Sequence, residues 1–150
     1  LLAKQFGMEY TDSDGKTKTP YIIHRTSLGC FERTLAYMLE KYAGALPTWL
    51  APTQVKILPI GDEQMEYAKS VRDRLANAGL RVEIDDSNNT IGYKIRGAQL
   101  EKVPYMMVIG DKEVESGTVS VRSRKDGDLG AKELGAFLSD ILAEVAEKRR

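Results

Sequence analysis

The chain has 150 residues, the length of one domain or of one domain with part of another. Its 22 Lys and Arg balance 22 Asp and Glu, which excludes a histone-like polycation but leaves room for a local basic patch. One cysteine excludes an internal disulfide framework, and no apolar run reaches the roughly 18 residues of a membrane span. Because the chain starts with Leu rather than Met, we expect it to be part of a longer protein.

The first part of the chain has the pattern of a β-hairpin followed by a helix. Phe6–Tyr10 and Tyr21–His24 are predicted strands, and the polar turn between them contains Asp14–Gly15. Apolar residues then recur at helical spacing from about Cys30 to Tyr42. Gly44 follows and is predicted to end this helix.

Pro47 and Pro52 lie between this helix and the next apolar run. Proline fixes φ and lacks a backbone N–H, so the two residues predict an extended crossing. We therefore predict three parts, namely a first domain fragment over 1–46, a linker over 47–54 and a second domain over 55–150.

Strand and helix patterns alternate after the linker. The predicted strands are Val55–Ile60, Arg81–Ile84, Tyr105–Ile109 and Thr118–Arg122, and helices are predicted over 65–78, 91–103 and 134–145. Polar and apolar residues alternate in Thr118–Arg122, which predicts a half-exposed strand. The order β-α-β-α-β-β-α favours an α/β fold with an open, mixed but mostly parallel sheet flanked by helices.

The residues alone leave the chemistry of the first part open. His24 and Cys30 are the only residues of their types, too few for a complete zinc site. A structural histidine is the plainer interpretation of His24, and a Cys–His catalytic pair would lack a third group. Gly29 and Cys30 at a strand-to-helix junction would let a nucleotide approach the backbone, with Arg33 facing it. An ordinary surface ion pair is the alternative for Arg33.

Amide, aromatic and basic side chains gather in the second part of the chain. They are Asn88, Asn89, Tyr93, Lys94, Arg96, Arg122, Arg124 and Lys125. Such a set at an exposed sheet end can hold unpaired RNA bases by stacking and by hydrogen bonds to base edges. A solvated charged face is the alternative, and Glu113 and Glu115 dilute the positive charge. The sequence contains neither Gly-x-Gly-x-x-Gly nor a Walker loop.

Several short motifs follow one another along the chain, and their order is more specific than any one of them. Pro20–Arg33 is followed by residues 42–55, 77–82, 91–96, 103–106 and 110–117. In this order they resemble the threonyl branch of the class II aminoacyl-tRNA synthetases. Pro20–Arg33 resembles the third signature motif of the class, and residues 42–55 resemble its junction with the anticodon-binding domain. The resemblance covers about residues 10–145.

For residues 1–46 the resemblance implies the C-terminal piece of a class II catalytic domain. His24 would be one of three zinc ligands, with the other two outside this chain. Arg33 would be the motif-three arginine that packs on the adenine of ATP and faces its phosphates. Gly29 and Cys30 would line the ATP pocket. The family usually has Ser or another small residue in place of Cys30.

For residues 55–150 the resemblance implies an anticodon-binding domain. The positions that would read the second and third anticodon bases, G and U, are Asn88, Arg96, Glu113 and Arg122. Lys94 and Arg124 are candidates for contacts with the tRNA backbone.

For the whole protein, the resemblance implies a cytoplasmic, homodimeric ligase that uses ATP, Mg²⁺ and Zn²⁺ to attach threonine to tRNA(Thr). The chain lacks the first two signature motifs, so we expect it to be inactive alone, to bind none of these cofactors and mainly to recognise the anticodon. A non-catalytic, synthetase-derived tRNA-binding regulator is the alternative, although it would not need His24 or Arg33. A flavodoxin-like domain is disfavoured because Asp62 and Glu63 follow the first strand and would repel phosphate.

Overall fold

A computed structural model of the chain describes residues 2–27 and 29–149. The chain forms two units that divide between Leu35 and Ala36. The boundaries expected from the sequence, 1–46, 47–54 and 55–150, stay predictions. No helix within the described ranges has the length and apolar character needed to span a membrane.

The first unit contains a short helix, a small hairpin and the start of a longer helix. These are α1 (Leu2–Gln5), β1 (Tyr10–Thr11), β2 (Thr17–Lys18) and α2 (Phe31–Tyr42). The two strands are antiparallel, with Tyr10 opposite Lys18. The Lys18 ammonium pairs with the carboxylates of Asp12 and Asp14 in the turn, which closes the hairpin.

The hairpin is therefore shorter than the sequence predicted, and its second strand lies elsewhere. Phe6 is not in a strand, because its N–H donates to the Leu2 carbonyl at 2.9 Å and closes a helical turn. Tyr21–His24 is also not a strand, since no described strand pairs with it. An extended apolar run becomes a strand only when a partner supplies its hydrogen bonds.

Helix α2 agrees with its prediction to within one residue at its start. It ends where expected, because the Gly44 N–H donates to the Leu39 carbonyl at 3.0 Å with Gly44 at φ +78°. A left-handed residue after the last turn is the usual glycine-ended helix terminus. No residue of α2 is buried.

The second unit is built on a mixed sheet, as the sequence predicted, and the sheet has five strands where the sequence predicted four. Its strands are β3 (Val55–Pro59), β4 (Val82–Ile84), β5 (Tyr105–Ile109), β6 (Thr118–Ser123) and β7 (Gly127–Glu133). The spatial order is β4-β3-β5-β6-β7. Strand β3 runs parallel to β4 and β5, whereas β6 runs antiparallel to β5 and β7. The parallel part of the sheet thus comprises three strands.

Helices cover both faces of this sheet. They are α3 (Met65–Asn77), α4 (Ile91–Leu100), the short α5 (Asp111–Ser116) and α6 (Leu134–Ala146). Side chains of α3 and α6 pack with Ile57, Met107 and Val121 on one face. Ala98 of α4 packs with Leu58 and Met106 on the other face. The two hydrophobic cores thus place α3 and α6 on one face of the sheet and α4 on the other.

The residues expected to form a linker are packed onto the second unit. The Arg124 guanidinium donates to the carbonyls of Ala45, Leu46 and Lys102 at 2.5 to 3.3 Å. The Glu144 carboxylate accepts hydrogen bonds from the hydroxyl groups of Thr48 and Tyr105. The Gln54 amide is buried, donating to the Thr48 carbonyl and accepting from the Arg81 N–H. We call residues 43–54, held in this way, the strap.

Candidate nucleic-acid interface

Polar side chains collect at the carboxyl edge, the edge of the sheet where β3, β4 and β5 end. These three strands are parallel, so the loops that follow them leave from the same side. Ligands bind in α/β proteins at this kind of edge. Asn88 lies in the loop after β4, and Glu113 lies in α5, which follows β5. Two of the predicted base-reading residues are thus brought to one edge.

A cavity of about 270 Å³ opens at the carboxyl edge. One wall consists of residues 59–62 with Met65, and the other consists of residues 86–89. Lys94 lies between the walls, and Asn88 lines the second wall with an exposed side chain.

Hydrogen bonds order the loop that carries Asn88. The Asp85 carboxylate accepts from the Ser87 N–H at 3.1 Å and from the Ser87 hydroxyl at 2.6 Å. The Asn89 amide in turn donates to the Ser87 oxygen at 3.0 Å. A short Asp side chain that bonds the backbone two residues later is a common turn device. Hydrogen bonds within the loop itself therefore fix its conformation.

The pKa of Asp85 lies below its usual value. Partial burial is the largest single influence and would raise the pKa, but four effects together outweigh burial. They are the side-chain and backbone hydrogen bonds from Ser87 and the positive charges of Lys94 and Lys56. Asp85 is consequently ionised at neutral pH, which is the state that the loop hydrogen bonds need.

The outer face of α4 presents a cation beside aromatic and apolar surface. Tyr93, Arg96 and Leu100 are all exposed, Tyr93 by 65%. The spacing of three and four residues puts them on one side of the helix. An exposed ring next to a guanidinium is suited to stacking on nucleic-acid bases.

Arg122 lies on the same face of the sheet as α4. Strand β6 alternates between half-buried and buried residues, so Arg122 points away from the core that contains Val121. Arg122 is paired with Met106, which packs against α4. Its side chain is 35% exposed, and its nearest carboxylate oxygen, on Asp128, is 3.9 Å away. The guanidinium is therefore only weakly paired and is accessible beside α4.

Glu113 has a structural contact that the sequence did not predict. Its carboxylate accepts a hydrogen bond from the Gly110 N–H at 2.9 Å and so caps the N-terminus of α5. A carboxylate has two oxygens, so the second one is left for a base donor. The assignment of Glu113 to base reading stays a prediction.

Lys94 occupies a place different from the one a phosphate-binding lysine needs. It is 4% exposed, and its ammonium donates to the carbonyls of Pro59 at 3.0 Å and Asp85 at 3.1 Å. The predicted contact of Lys94 with the tRNA backbone does not fit this burial, because a phosphate on the surface would not reach the ammonium. Burial could not be seen in the sequence, since the acceptor carbonyl of Pro59 is 35 residues away.

Arg124 also has a structural role, because three of its five N–H groups face the carbonyls of the strap and of Lys102. Burial lowers the pKa of its guanidinium, and the nearby Glu144 and Tyr105 act in the opposite direction. A backbone contact with tRNA would have to use the other two N–H groups. That contact stays a prediction.

In the first unit, the residues assigned to ATP surround the start of α2. Gly29 has φ +68°, and its N–H donates to the Thr26 hydroxyl oxygen at 3.0 Å. The Cys30 thiol donates to a Glu32 carboxylate oxygen at 2.9 Å, which lowers the pKa of Glu32. Arg33 is exposed in the first turn of α2. The unit thus presents a tight turn and an accessible guanidinium, and the ATP assignments stay predictions.

His24 is exposed in the first unit. Across residues 2–27 and 29–149, no three side chains of His, Cys, Asp or Glu lie close enough together to bind a metal ion. The residues present therefore do not form a zinc site by themselves. The role of His24 as one ligand of a larger site stays a prediction.

Comparisons with known proteins agree with this geometry. Residues 54–144 match the family described as the anticodon binding domain. A threonine–tRNA ligase from Clostridium perfringens (strain SM101 / Type A) is 55% identical over 147 residues, which are 98% of this chain and 23% of that relative. A threonine–tRNA ligase from Clostridium botulinum (strain Eklund 17B / Type B) is 56% identical over 149 residues, again 23% of its length. The chain thus spans about a quarter of these relatives.

Two solved structures share the fold. The RNA binding domain of threonyl-tRNA synthetase from Cryptosporidium parvum Iowa II has a TM-score of 0.74 and 36% identity, covering 95% of this chain and 36% of that one. A prolyl-tRNA synthetase from Cryptosporidium parvum, complexed with halofuginone and AMPPNP, has a TM-score of 0.73 and 26% identity, covering 97% and 31%. The resemblance found in the sequence and the predicted fold class are both confirmed. The chain belongs to the anticodon-binding domain family, in the form found in threonine–tRNA ligases.

Proposed function

We propose that the second unit binds the anticodon stem–loop of tRNA(Thr) and reads its second and third bases, G and U. The main support for this proposal is the placement of three side chains. Asn88 lies at the carboxyl edge, and Arg96 and Arg122 lie on the α4 side of the sheet. Amide and guanidinium groups donate to base edges, and the free oxygen of Glu113 would accept from a base.

The chain is electrically balanced, and this supports selective rather than bulk electrostatic binding. Twenty-two basic residues face 22 acidic ones, so affinity for RNA has to come from a local group of cations. We expect a modest salt dependence of binding, because few phosphates would be neutralised.

For the whole protein we propose the activity of the relatives, namely activation of threonine with ATP and its transfer to tRNA(Thr). Arg33 would pack on the adenine and face the phosphates of ATP, with Gly29 and Cys30 beside it. His24 would supply one zinc ligand, and Mg²⁺ would neutralise phosphate charge. The protein would work as a cytoplasmic homodimer.

The test is fluorescence anisotropy of the 150-residue chain with two labelled anticodon stem–loops at several salt concentrations. One loop carries G and U at the second and third anticodon positions, and the other has both bases replaced. Tighter binding of the G–U loop that persists as salt rises supports base reading. Equal and strongly salt-dependent binding of the two loops would contradict it.

A further inference from the structure

Lys94 is a buried cation whose ammonium makes no ion pair within 4.0 Å of a carboxylate among the described residues, although its charge acts on the nearby Asp85. Lys94 is 4% exposed, and the ion pairs found among the described residues do not include it. Both acceptors of its ammonium are backbone carbonyls, those of Pro59 and Asp85. Burying a charge is costly unless hydrogen bonds compensate it, so a lysine in this place calls for a role.

The carbonyl of Pro59 belongs to one wall of the cavity at the carboxyl edge, and the carbonyl of Asp85 directly precedes the other wall, residues 86–89. Pro59 ends β3 and starts one wall, and Asp85 starts the loop after β4 that forms the other wall. Through these two hydrogen bonds, the ammonium links the end of β3 to the start of the loop after β4. A charged donor makes these bonds stronger than neutral ones.

Further hydrogen bonds connect Asp85 to the residues on either side of Asn88. Asp85, whose carbonyl Lys94 holds, binds Ser87 through its carboxylate, and Ser87 accepts from Asn89. Asn88 lies between the last two residues, with its own side chain exposed. The position of Asn88 is thus set by a series of contacts that begins at the buried ammonium.

We propose that Lys94 is a positioning residue for anticodon recognition, which holds the loop 85–89 so that Asn88 meets a base edge in a fixed orientation. The inference rests on the proposed function, because it concerns how that function is achieved. Lys94 acts through Asn88 and does not neutralise an RNA phosphate. Preorganisation of this kind lowers the entropy cost of binding.

The experiment compares five forms of the 150-residue chain, namely the wild type, Lys94→Met, Asn88→Ala, the double variant and Lys69→Met. Methionine keeps an unbranched apolar side chain while removing the donor. Lys69 is an exposed lysine of α3, on the opposite face of the sheet, and serves as the matched control. Affinities for the G–U loop and the replaced loop are measured at four salt concentrations.

We expect Lys94→Met and Asn88→Ala each to lower the preference for the G–U loop by about tenfold. The double variant should be no worse than either single variant, because both changes remove the same base contact. The salt dependence should equal that of the wild type. Lys69→Met should retain the full preference.

Two results of these binding measurements would overturn the inference. One is a salt slope that falls by about 1 in Lys94→Met with the preference intact, because this is the effect of a lost phosphate contact. The other is independent, additive losses in the double variant. Equal binding of both loops by the wild type is a different result, since it would contradict the proposed function itself.

A measurement without RNA separates these two failures. Amide hydrogen exchange at Ser87 and Asn88 should become faster in Lys94→Met and remain unchanged in Lys69→Met. Unchanged exchange in Lys94→Met would overturn the positioning role, whatever the RNA result.

Further variants keep the test decisive if Lys94→Met does not fold. Ser87→Ala breaks the same series of contacts from the exposed loop, and it should lower the G–U preference without adding to Asn88→Ala. An unaltered preference in Ser87→Ala would contradict the proposal. Lys94→Arg keeps the charge but changes the geometry of the donors. Like Lys94→Met, it should therefore show a lowered preference for the G–U loop and faster amide exchange than the wild type.

Discussion

At the scale of single residues, three of the proposed base readers differ in how freely their side chains can meet RNA. Asn88 and Arg96 are exposed, whereas Arg122 is half-buried, with its guanidinium 3.9 Å from a carboxylate oxygen of Asp128. Contacts to base edges carry sequence information, and contacts to phosphate carry mainly affinity. The two roles can therefore be separated by comparing cognate and altered loops.

Arg122→Ala is expected to weaken binding of the G–U loop by about 1–3 kcal/mol while changing binding of the replaced loop much less. The reason is that its guanidinium is accessible on the α4 side of the sheet with only one carboxylate at 3.9 Å. Anisotropy titrations with both loops measure this difference. Arg74→Ala, on the exposed side of α3, is the matched control. Equal losses on both loops would assign Arg122 to phosphate.

Asp85 makes the loop that carries Asn88 sensitive to acid. Its pKa is lowered in the folded state, so its stabilising contribution is present above the unfolded value of about 3.9 and is lost as pH falls through the folded value. An NMR titration of the Asp85 carboxyl should show a midpoint below that of an unfolded aspartate. Ser87→Ala removes one hydrogen bond and should move the midpoint upwards, and an unmoved midpoint would contradict this account.

At the scale of elements, the sequence predicted the strands and helices that have a clear apolar pattern. Tyr105–Ile109 is a continuous apolar run, and the structure has a strand with the same bounds. Strand β7 escaped prediction because it contains Gly127 and Gly130 and exposes most of its residues. Its existence depends on pairing with β6, which is not a local property. Helix α5 has only six residues, too few for a helical repeat to be seen.

The candidate site was predictable to a similar extent. Asn88, Arg96, Glu113 and Arg122 came from a resemblance of motifs, and the structure brings them to one edge and one side of the sheet. The cap formed by Glu113 follows from its place three residues after Gly110, and this spacing was readable in the sequence. The burial of Lys94 was not readable, because it depends on two carbonyls that only the tertiary fold brings together.

The cap on α5 gives a prediction at this scale. Glu113→Ala removes the acceptor of the Gly110 N–H, so we expect the free energy of unfolding to fall by about 1 kcal/mol. Urea denaturation followed by circular dichroism measures the change. Glu115→Ala, an exposed residue of the same helix, is the control. If Glu113→Ala lowers the G–U preference without loss of stability, its main role is base contact rather than capping.

At the scale of the whole molecule, the strap is part of the second unit. Arg124 binds its carbonyls, and Glu144 and Gln54 hold its Thr48. We expect Arg124→Ala to lower the free energy of unfolding by roughly 1 kcal/mol, since three hydrogen bonds to a partly exposed group are lost. Chemical denaturation is the measurement, with Arg72→Ala as control. A lowered salt slope of RNA binding with unchanged stability would instead support the predicted tRNA backbone contact.

The strap also sets where this module can be cut and grafted. A chimera whose foreign sequence continues up to Val55 would leave Arg124, Glu144 and Arg81 facing carbonyls and hydroxyls of the wrong chain, or none. A junction upstream of Ala43 would carry the whole set of contacts with the sheet. A segment exchanged between synthetases should therefore begin before Ala43, at the start of the strap, and not at the first strand of the sheet.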